Sequence, residues 1–195
     1  MKTRLESIPA PTPYLRAEPT LVEKWAARLG PDGFKIGVCW RGSANPKADH
    51  GRAVPLAALA PLAGSGARLI SLQKFEGSTP DDLARAPWLE LVGDDFDGGP
   101  DGFVDTAALM ENLDLIVTGD TSIAHLAGAL GRPVVVLLQA AADWRWFNDR
   151  EDCPWYPTMR LFRQSRLGDW SEPRPTPKCT TASETPRSVC HWRLR

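Results

Sequence analysis

Three consecutive oxygen-bearing residues, Asp120, Thr121 and Ser122, separate the apolar run Leu115-Ile-Val-Thr118 from a segment that continues through His125 to Gly131. Pro133-Val-Val-Val-Leu-Leu138 follows, so the stretch reads as buried strand, polar turn, helix and second buried strand. Gly119 lets the backbone turn without a Cβ clash, and the three oxygens crowd the helix start. Gly131 and Pro133 mark the helix end. A helix that begins at the carboxyl edge of a parallel sheet points N–H groups and the positive end of its dipole into the crevice, which suits a phosphate. The same residues also make an ordinary N-cap. His125 follows Ser122 opposite the Ile123, Ala127, Leu130 stripe, so it either reaches the crevice mouth or satisfies a neighbouring carbonyl. Arg52 and Lys74 follow the first two strands, and each is a ligand contact or a solvated loop charge; Asp143 and Arg145 follow the fifth.

The elements that must position these groups alternate along the chain. A proline-punctuated opening (Ile8-Pro-Ala-Pro-Thr-Pro13) leads into a helix over 19–29 with Leu21, Trp25, Ala26 and Leu29 at helical spacing. Strands are expected at 35–40, 68–72, 89–92, 115–118 and 134–138. Helices are expected at 56–62, 80–85, 103–112 (apolar at Phe103, Ala107 and Met110) and after Asp120, and Leu161-Phe162 reads as a short edge strand. Apolar strands alternating with helices imply right-handed crossovers and a mostly parallel sheet covered on both faces, a Rossmann-like three-layer α/β/α domain. Residues 1–32 read as linker and leading helix, 33–170 as the domain, and 171–195 as a disordered or aberrant tail. That tail holds four prolines and five basic against two acidic side chains.

With 195 residues, 43% hydrophobic content, 24% charged residues and a net charge of −1, the chain can bury one core and lacks the basic field that nucleic-acid binding exploits. No run approaches membrane-spanning length and no secretory signal is visible at the amino terminus, so a cytoplasmic location is expected. Cys39, Cys153, Cys179 and Cys190 show no metal or redox pairing, and free thiols are expected. Asp94, Asp95, Asp97 and Asp101 lie among glycines without an EF-hand's closing glutamate and read as a solvated loop, so no metal site is expected. Neither G-x-G-x-x-G after the first strand, nor G-x-x-x-x-G-K-[ST], nor G-x-S-x-G occurs, which argues against a nicotinamide oxidoreductase, a P-loop ATPase and a serine hydrolase.

The run Asp120-Thr-Ser-Ile-Ala-His-Leu-Ala-Gly-Ala-Leu-Gly-Arg-Pro133 resembles the carboxy-terminal half of the heptosyltransferase-type glycosyltransferases, family 9, of GT-B architecture. Ile36-Gly-Val-Cys-Trp-Arg-Gly-Ser-Ala-Asn-Pro46, Arg52-Ala-Val-Pro-Leu56, Ser71-Leu-Gln-Lys74, Asp105-Thr-Ala-Ala108, Asp143-Trp-Arg-Trp146 and Trp155-Tyr-Pro157 extend the resemblance to a bacterial branch found behind tetratricopeptide repeats. It covers residues 14–170. The resemblance implies a domain that binds a nucleotide-diphosphate sugar as substrate, with no cofactor and no metal ion. Asp120, Thr121 and Ser122 would receive the diphosphate, with His125 one turn on. Arg52, where heptosyltransferases commonly have lysine, would neutralise a phosphate, and Gly42 and Ser43 would let the first loop approach closely. Lys74 would lie near the base or ribose. Asp143 and Arg145 would contact the sugar, with Trp144 or Trp146 as an apolar wall, although packing is the commoner use of the Trp144, Trp146, Trp155, Tyr156 cluster.

In that family the catalytic base comes from an amino-terminal domain, and fewer than forty residues precede the first strand here. The chain is therefore expected to be the donor half of a hexosyl- or heptosyltransferase, completed by an amino-terminal acceptor domain or a repeat protein in trans. The alternative is a nucleotide or nucleotide-sugar binding module without transfer activity. A decayed gene product is the third reading.

Overall fold

The structure, a computed structural model, describes residues 4–8, 11–42, 49, 51–74, 83–171 and 173–175. Its strands are Lys35–Cys39 (β1), Arg68–Ser71 (β2), Leu89–Glu90 (β3), Leu115–Gly119 (β4), Val134–Leu138 (β5), Met159–Arg163 (β6) and Arg174–Pro175 (β7). They form one sheet in the order β3-β2-β1-β4-β5-β6-β7. All neighbours pair in parallel except β6 and β7. The helices are Pro19–Leu29 (α1), Ala60–Ala63 (α2), Val104–Glu111 (α3) and Ser122–Ala129 (α4). No helix among the described residues is long and apolar enough to cross a membrane.

Alternation along the strands divides the core in two. Ile36 and Val38 join Val54, Leu56, Leu59, Leu69, Val117 and Leu137 on one face. On the other, Ile70, Ile116, Val136 and Leu138 pack with Trp25 of α1, Leu109 of α3 and Ile123, Ala124 and Ala127 of α4. The three-layer α/β architecture expected from the apolar pattern is thus present. Both faces of the central strands are buried, which is why those strands read as continuous apolar runs.

Several details depart from the sequence reading. The segment expected as a helix at 56–62 is a 3-10 turn, Leu56–Leu59, continued by the four-residue α2, with a proline in its first positions. β3 holds two residues instead of four. The expected edge strand at Leu161-Phe162 is the five-residue β6, and β7 pairs beyond it. Of the segment expected as a helix at 80–85, residues 80–82 lie outside the described ones and Leu83 and Ala84 are helical; residues 172 and 176–195 of the expected tail also lie outside the described ones. The opening segment is docked, since the backbone N–H groups of Tyr14 and Leu15 both donate to the Ala129 carbonyl at the end of α4.

The glycine- and aspartate-rich loop before α3 is not simply solvated. Asp97 is only 4% exposed. Its carboxylate accepts from the backbone N–H groups of Asp105 (3.0 Å) and Thr106 (3.2 Å) and from the Thr106 hydroxyl. Asp105 returns the contact by accepting from the Asp97 N–H at 3.2 Å, and its other oxygen accepts from the buried Trp25 indole at 2.8 Å. Asp97 therefore caps α3 from across the loop, the task an N-cap side chain ordinarily performs. Phe103, which stands at the helix start with φ +71°, is 47% exposed and is not a core residue. No cluster of acidic, histidine or cysteine side chains among the described residues is arranged to hold a metal ion.

Asp97→Ala strands the Asp105 and Thr106 N–H groups in a buried setting. It is expected to cost about 2 kcal/mol, between the loss of a cap and that of a charge-assisted bond. Urea unfolding followed by circular dichroism reads this directly, and a cost below about 0.5 kcal/mol would show that the cap does not hold α3.

Candidate functional site

Strand order reverses between β1 and β4: the chain runs outward from β1 through β2 to β3, then returns to pair β4 on the other side of β1. In open α/β sheets such a point leaves a crevice beyond the carboxyl ends of the two strands, because the segments that follow diverge. Here those segments are the loop after Cys39 and the turn from Gly119 into α4. Cys39 and Thr118 are register partners at this edge.

The turn is tightly specified. The Thr121 hydroxyl accepts from the Ile123 N–H at 3.2 Å, lies 3.0 Å from the Thr118 hydroxyl, and so caps α4 from within. The Thr121 carbonyl accepts from the Ala124 N–H at 3.1 Å. With these groups engaged, exposed Ser122 is the outermost residue of the helix start. Asp120, 8% exposed, lies beneath it. The Cys39 thiol sits among the hydroxyls of Thr118 and Thr121, and burial pushes it from 9.0 up to about 11, far from the range of a reactive thiolate.

Two segments close over the turn. A side chain at Gly119 would meet the Arg52 carbonyl at 3.2 Å, so glycine here admits the chain segment that carries Arg52. That segment is fixed to β1 by the Val54 N–H, which donates to the Trp40 carbonyl at 2.8 Å. The Arg52 Nε donates to the Asp49 carbonyl at 3.1 Å, and its charge is felt at Asp143. Gly42 lies over Thr121, whose methyl carbon would be 3.6 Å from an added Cβ. Gln73, after β2, ties the first loop down by accepting from the Arg41 N–H at 3.0 Å. Ser43 lies outside the described residues.

The third wall is the loop after β5. Asp143 caps a 3-10 turn, Trp144–Trp146, by accepting from the Arg145 N–H at 3.1 Å, and it also pairs with the Arg145 guanidinium at 2.9 Å. These contacts hold the Asp143 carboxyl below its usual range, the backbone N–H foremost. Arg145 Nη1 reaches His125 Nε2 at 3.4 Å, and His125 Nδ1 lies 3.2 Å from the Tyr156 hydroxyl. The hydrogen-bond partners of His125 are thus two side chains, Arg145 and Tyr156. Its ring stacks on Trp146 with centroids 5.2 Å apart. Trp146 is fully buried, whereas Trp144 is 75% exposed. The residue types of the Trp144, Trp146, Trp155, Tyr156 cluster suit packing or base stacking and do not point to the Tyr156 hydroxyl as a partner of His125; its neighbour Gly128, where any side chain would overlap the tyrosine ring, is the signal that marks this close approach.

Arg52, Gly42, Asp120, Thr121, Ser122, His125, Asp143 and Arg145 therefore gather around the ends of β1, β4 and β5. Lys74 stands apart from them. Its ammonium donates to the Asp97 carbonyl at 2.8 Å, beside a cavity of about 200 Å³ beyond β2 and β3 that Gln73, Leu91 and Phe96 also line.

The family model for glycosyltransferase family 9 (heptosyltransferase) matches residues 99–164, the stretch from α3 to the end of β6. The structure superposes on ADP-heptose LPS heptosyltransferase II of E. coli with a TM-score of 0.54 at 17% identity, covering 84% of this chain and 49% of that one. Its fold is similar to that of the heptosyltransferases. A family 9 glycosyl transferase from Veillonella parvula gives a TM-score of 0.50 at 16% identity, with 77% and 42% covered. In sequence, the chain is 29% identical to protein FlbA of Caulobacter vibrioides over 181 residues, 87% of this chain and 29% of that protein. The chain thus spans less than a third of FlbA and about half of heptosyltransferase II.

Burial and the Arg145 charge lower the His125 pKa from its ordinary 6.5, against the pull of Asp120 and Asp143. The unfolded chain therefore takes up this proton at higher pH than the folded one. This contribution to stability is whole above about pH 6.5 and declines as the pH falls toward the lowered native value. His125→Gln is expected to flatten that decline, which thermal melts from pH 8 to pH 5 measure; an unchanged pH slope would show that His125 is not the group responsible.

Proposed function

We propose that this chain is the donor-binding side of a glycosyltransferase and holds a nucleotide-diphosphate sugar in the crevice between β1 and β4. The observation that carries the reading is the exposed Ser122 at the start of α4, placed at the strand-order reversal and flanked by the segments that carry Gly42, Arg52 and Arg145. The family 9 match over residues 99–164 supports the same reading.

The chemistry follows from charge. When the bond between the anomeric carbon and the diphosphate breaks, negative charge grows on the leaving phosphate oxygens, and donors already fixed in place lower the barrier without reorganising. In this proposal Ser122 and the positive end of α4 face that charge, Arg52 adds a guanidinium, and Asp143 and Arg145 border the sugar. Asp120 fixes the turn or faces sugar hydroxyls. Lys74, with the cavity beyond β2 and β3, is assigned to the base or ribose. The group that deprotonates the acceptor hydroxyl belongs to a second domain or protein, so the isolated chain binds the donor without transferring it.

Calorimetric titration with ADP, GDP, UDP, CDP and dTDP tests the reading: at least one is expected to bind, and inorganic pyrophosphate is expected to compete with it. Ser122→Ala and Arg52→Ala should each weaken that binding by about 1–3 kcal/mol, the range for a lost charge-assisted hydrogen bond. Absence of binding across the panel, or full affinity in both variants, would sink it.

A further inference from the structure

Arg145 is held by two anchors, one of them outside its own loop. Asp143 alone would fold the guanidinium back on the 3-10 turn, through contacts of 2.9 Å from Nε and 3.4 Å from Nη2. The second anchor comes from α4 itself, where His125 Nε2 meets Nη1 at 3.4 Å.

A guanidinium can only donate, so the nitrogen facing it must carry a lone pair. The neutral ring then bears its proton on Nδ1, which donates to the Tyr156 hydroxyl at 3.2 Å. Burial keeps Tyr156 a neutral phenol by raising its pKa, so its oxygen remains available at the pH where the ring is neutral. The Tyr14 hydroxyl donates to the same oxygen at 3.5 Å. The ring plane is set by Trp146 stacked at an interplanar angle of 22°, and by the Tyr156 ring at its edge, 5.8 Å away. Tyr156 in turn lies against Gly128, where a larger residue has no room. The backbone of Arg145 is held as well, by the Trp155 indole donating to its carbonyl at 3.0 Å.

We propose that His125 is a positioning residue, a neutral acceptor locked in the Nδ1–H tautomer that aims the Arg145 guanidinium at the anionic group of a ligand bound at the α4 start. The assignment of the ligand rests on the donor-site reading above; the tautomer and the contact with Arg145 do not. The guanidinium has more N–H groups than Asp143 and His125 engage, and an anion at the crevice takes the remainder. His125 acts through Arg145 and touches no ligand.

The tests separate these parts. Nitrogen-15 NMR of the imidazole at pH 7.5 should show Nε2 unprotonated and Nδ1 protonated; an Nε2–H tautomer overturns the proposal. Inorganic pyrophosphate serves as the binding probe. His125→Phe keeps the stack on Trp146 but has no lone pair, and it should bind pyrophosphate roughly tenfold more weakly, as for the loss of one orienting contact to a charged group. His125→Gln, whose side-chain oxygen can accept from Nη1, should restore most of that affinity. Arg145→Ala should weaken binding at least as much, and adding His125→Phe to it should weaken binding no further, because the two residues act through one contact. Additive losses, or full affinity in His125→Phe, overturn the role assigned to His125. If the wild-type chain binds neither pyrophosphate nor any nucleoside diphosphate, the donor-site reading falls and takes the anionic ligand with it, whatever tautomer the NMR shows.

Discussion

Parallel pairing of β1 with β4 is the constraint from which the rest of the site follows. Two adjacent parallel strands whose onward connections diverge leave their carboxyl ends uncovered by the sheet, and whatever the loops bring there is held between rigid elements. Cys39 and Thr118, paired at the last rung, carry the loop of Gly42 on one side and the turn into α4 on the other. The third contributor, the segment with Arg52, lies across Gly119 because that position has no side chain to keep it away. The crevice is a product of backbone topology first and of side-chain chemistry second.

Much of this was readable in the sequence, for physical reasons. Strands buried on both faces have no polar alternation to blur them, so β1, β4 and β5 appear as apolar runs, and α1 is bounded by Pro19 and Gly30. The oxygens before Ile123 announce a helix start wherever it is placed. What they do not announce is how they divide the work. Thr121 turns its hydroxyl inward to Thr118 and the Ile123 N–H, and Ser122 stays outside. Residue types gave both the same promise; only packing separates them.

The elements that escaped notice depend on contacts distant in the chain. Asp97 belongs to a segment that looks solvated because three more aspartates and several glycines surround it, yet it caps a helix that begins seven residues later. Phe103 fits the helical stripe by spacing, but with the cap supplied from elsewhere it sits at the boundary with positive φ and faces outward. Tyr156 and His125 lie 31 residues apart and meet only because β6 pairs with β5 and brings the preceding loop beside α4. The fold was legible from local pattern, whereas the partners of individual side chains were set by the sheet order.

Arg163, at the end of β6, extends beneath the loop that carries Asp143 and Arg145 and donates to the carbonyls of Gln139 and Phe147. It is 9% exposed, and burial lowers its pKa. A flat fork spanning two backbone oxygens fastens both feet of the arch while making no demand on the side chains between them. The ends of the arch are thus pinned through main-chain oxygens, an attachment that a change of side chain at its outward-facing tip, Trp144, leaves intact.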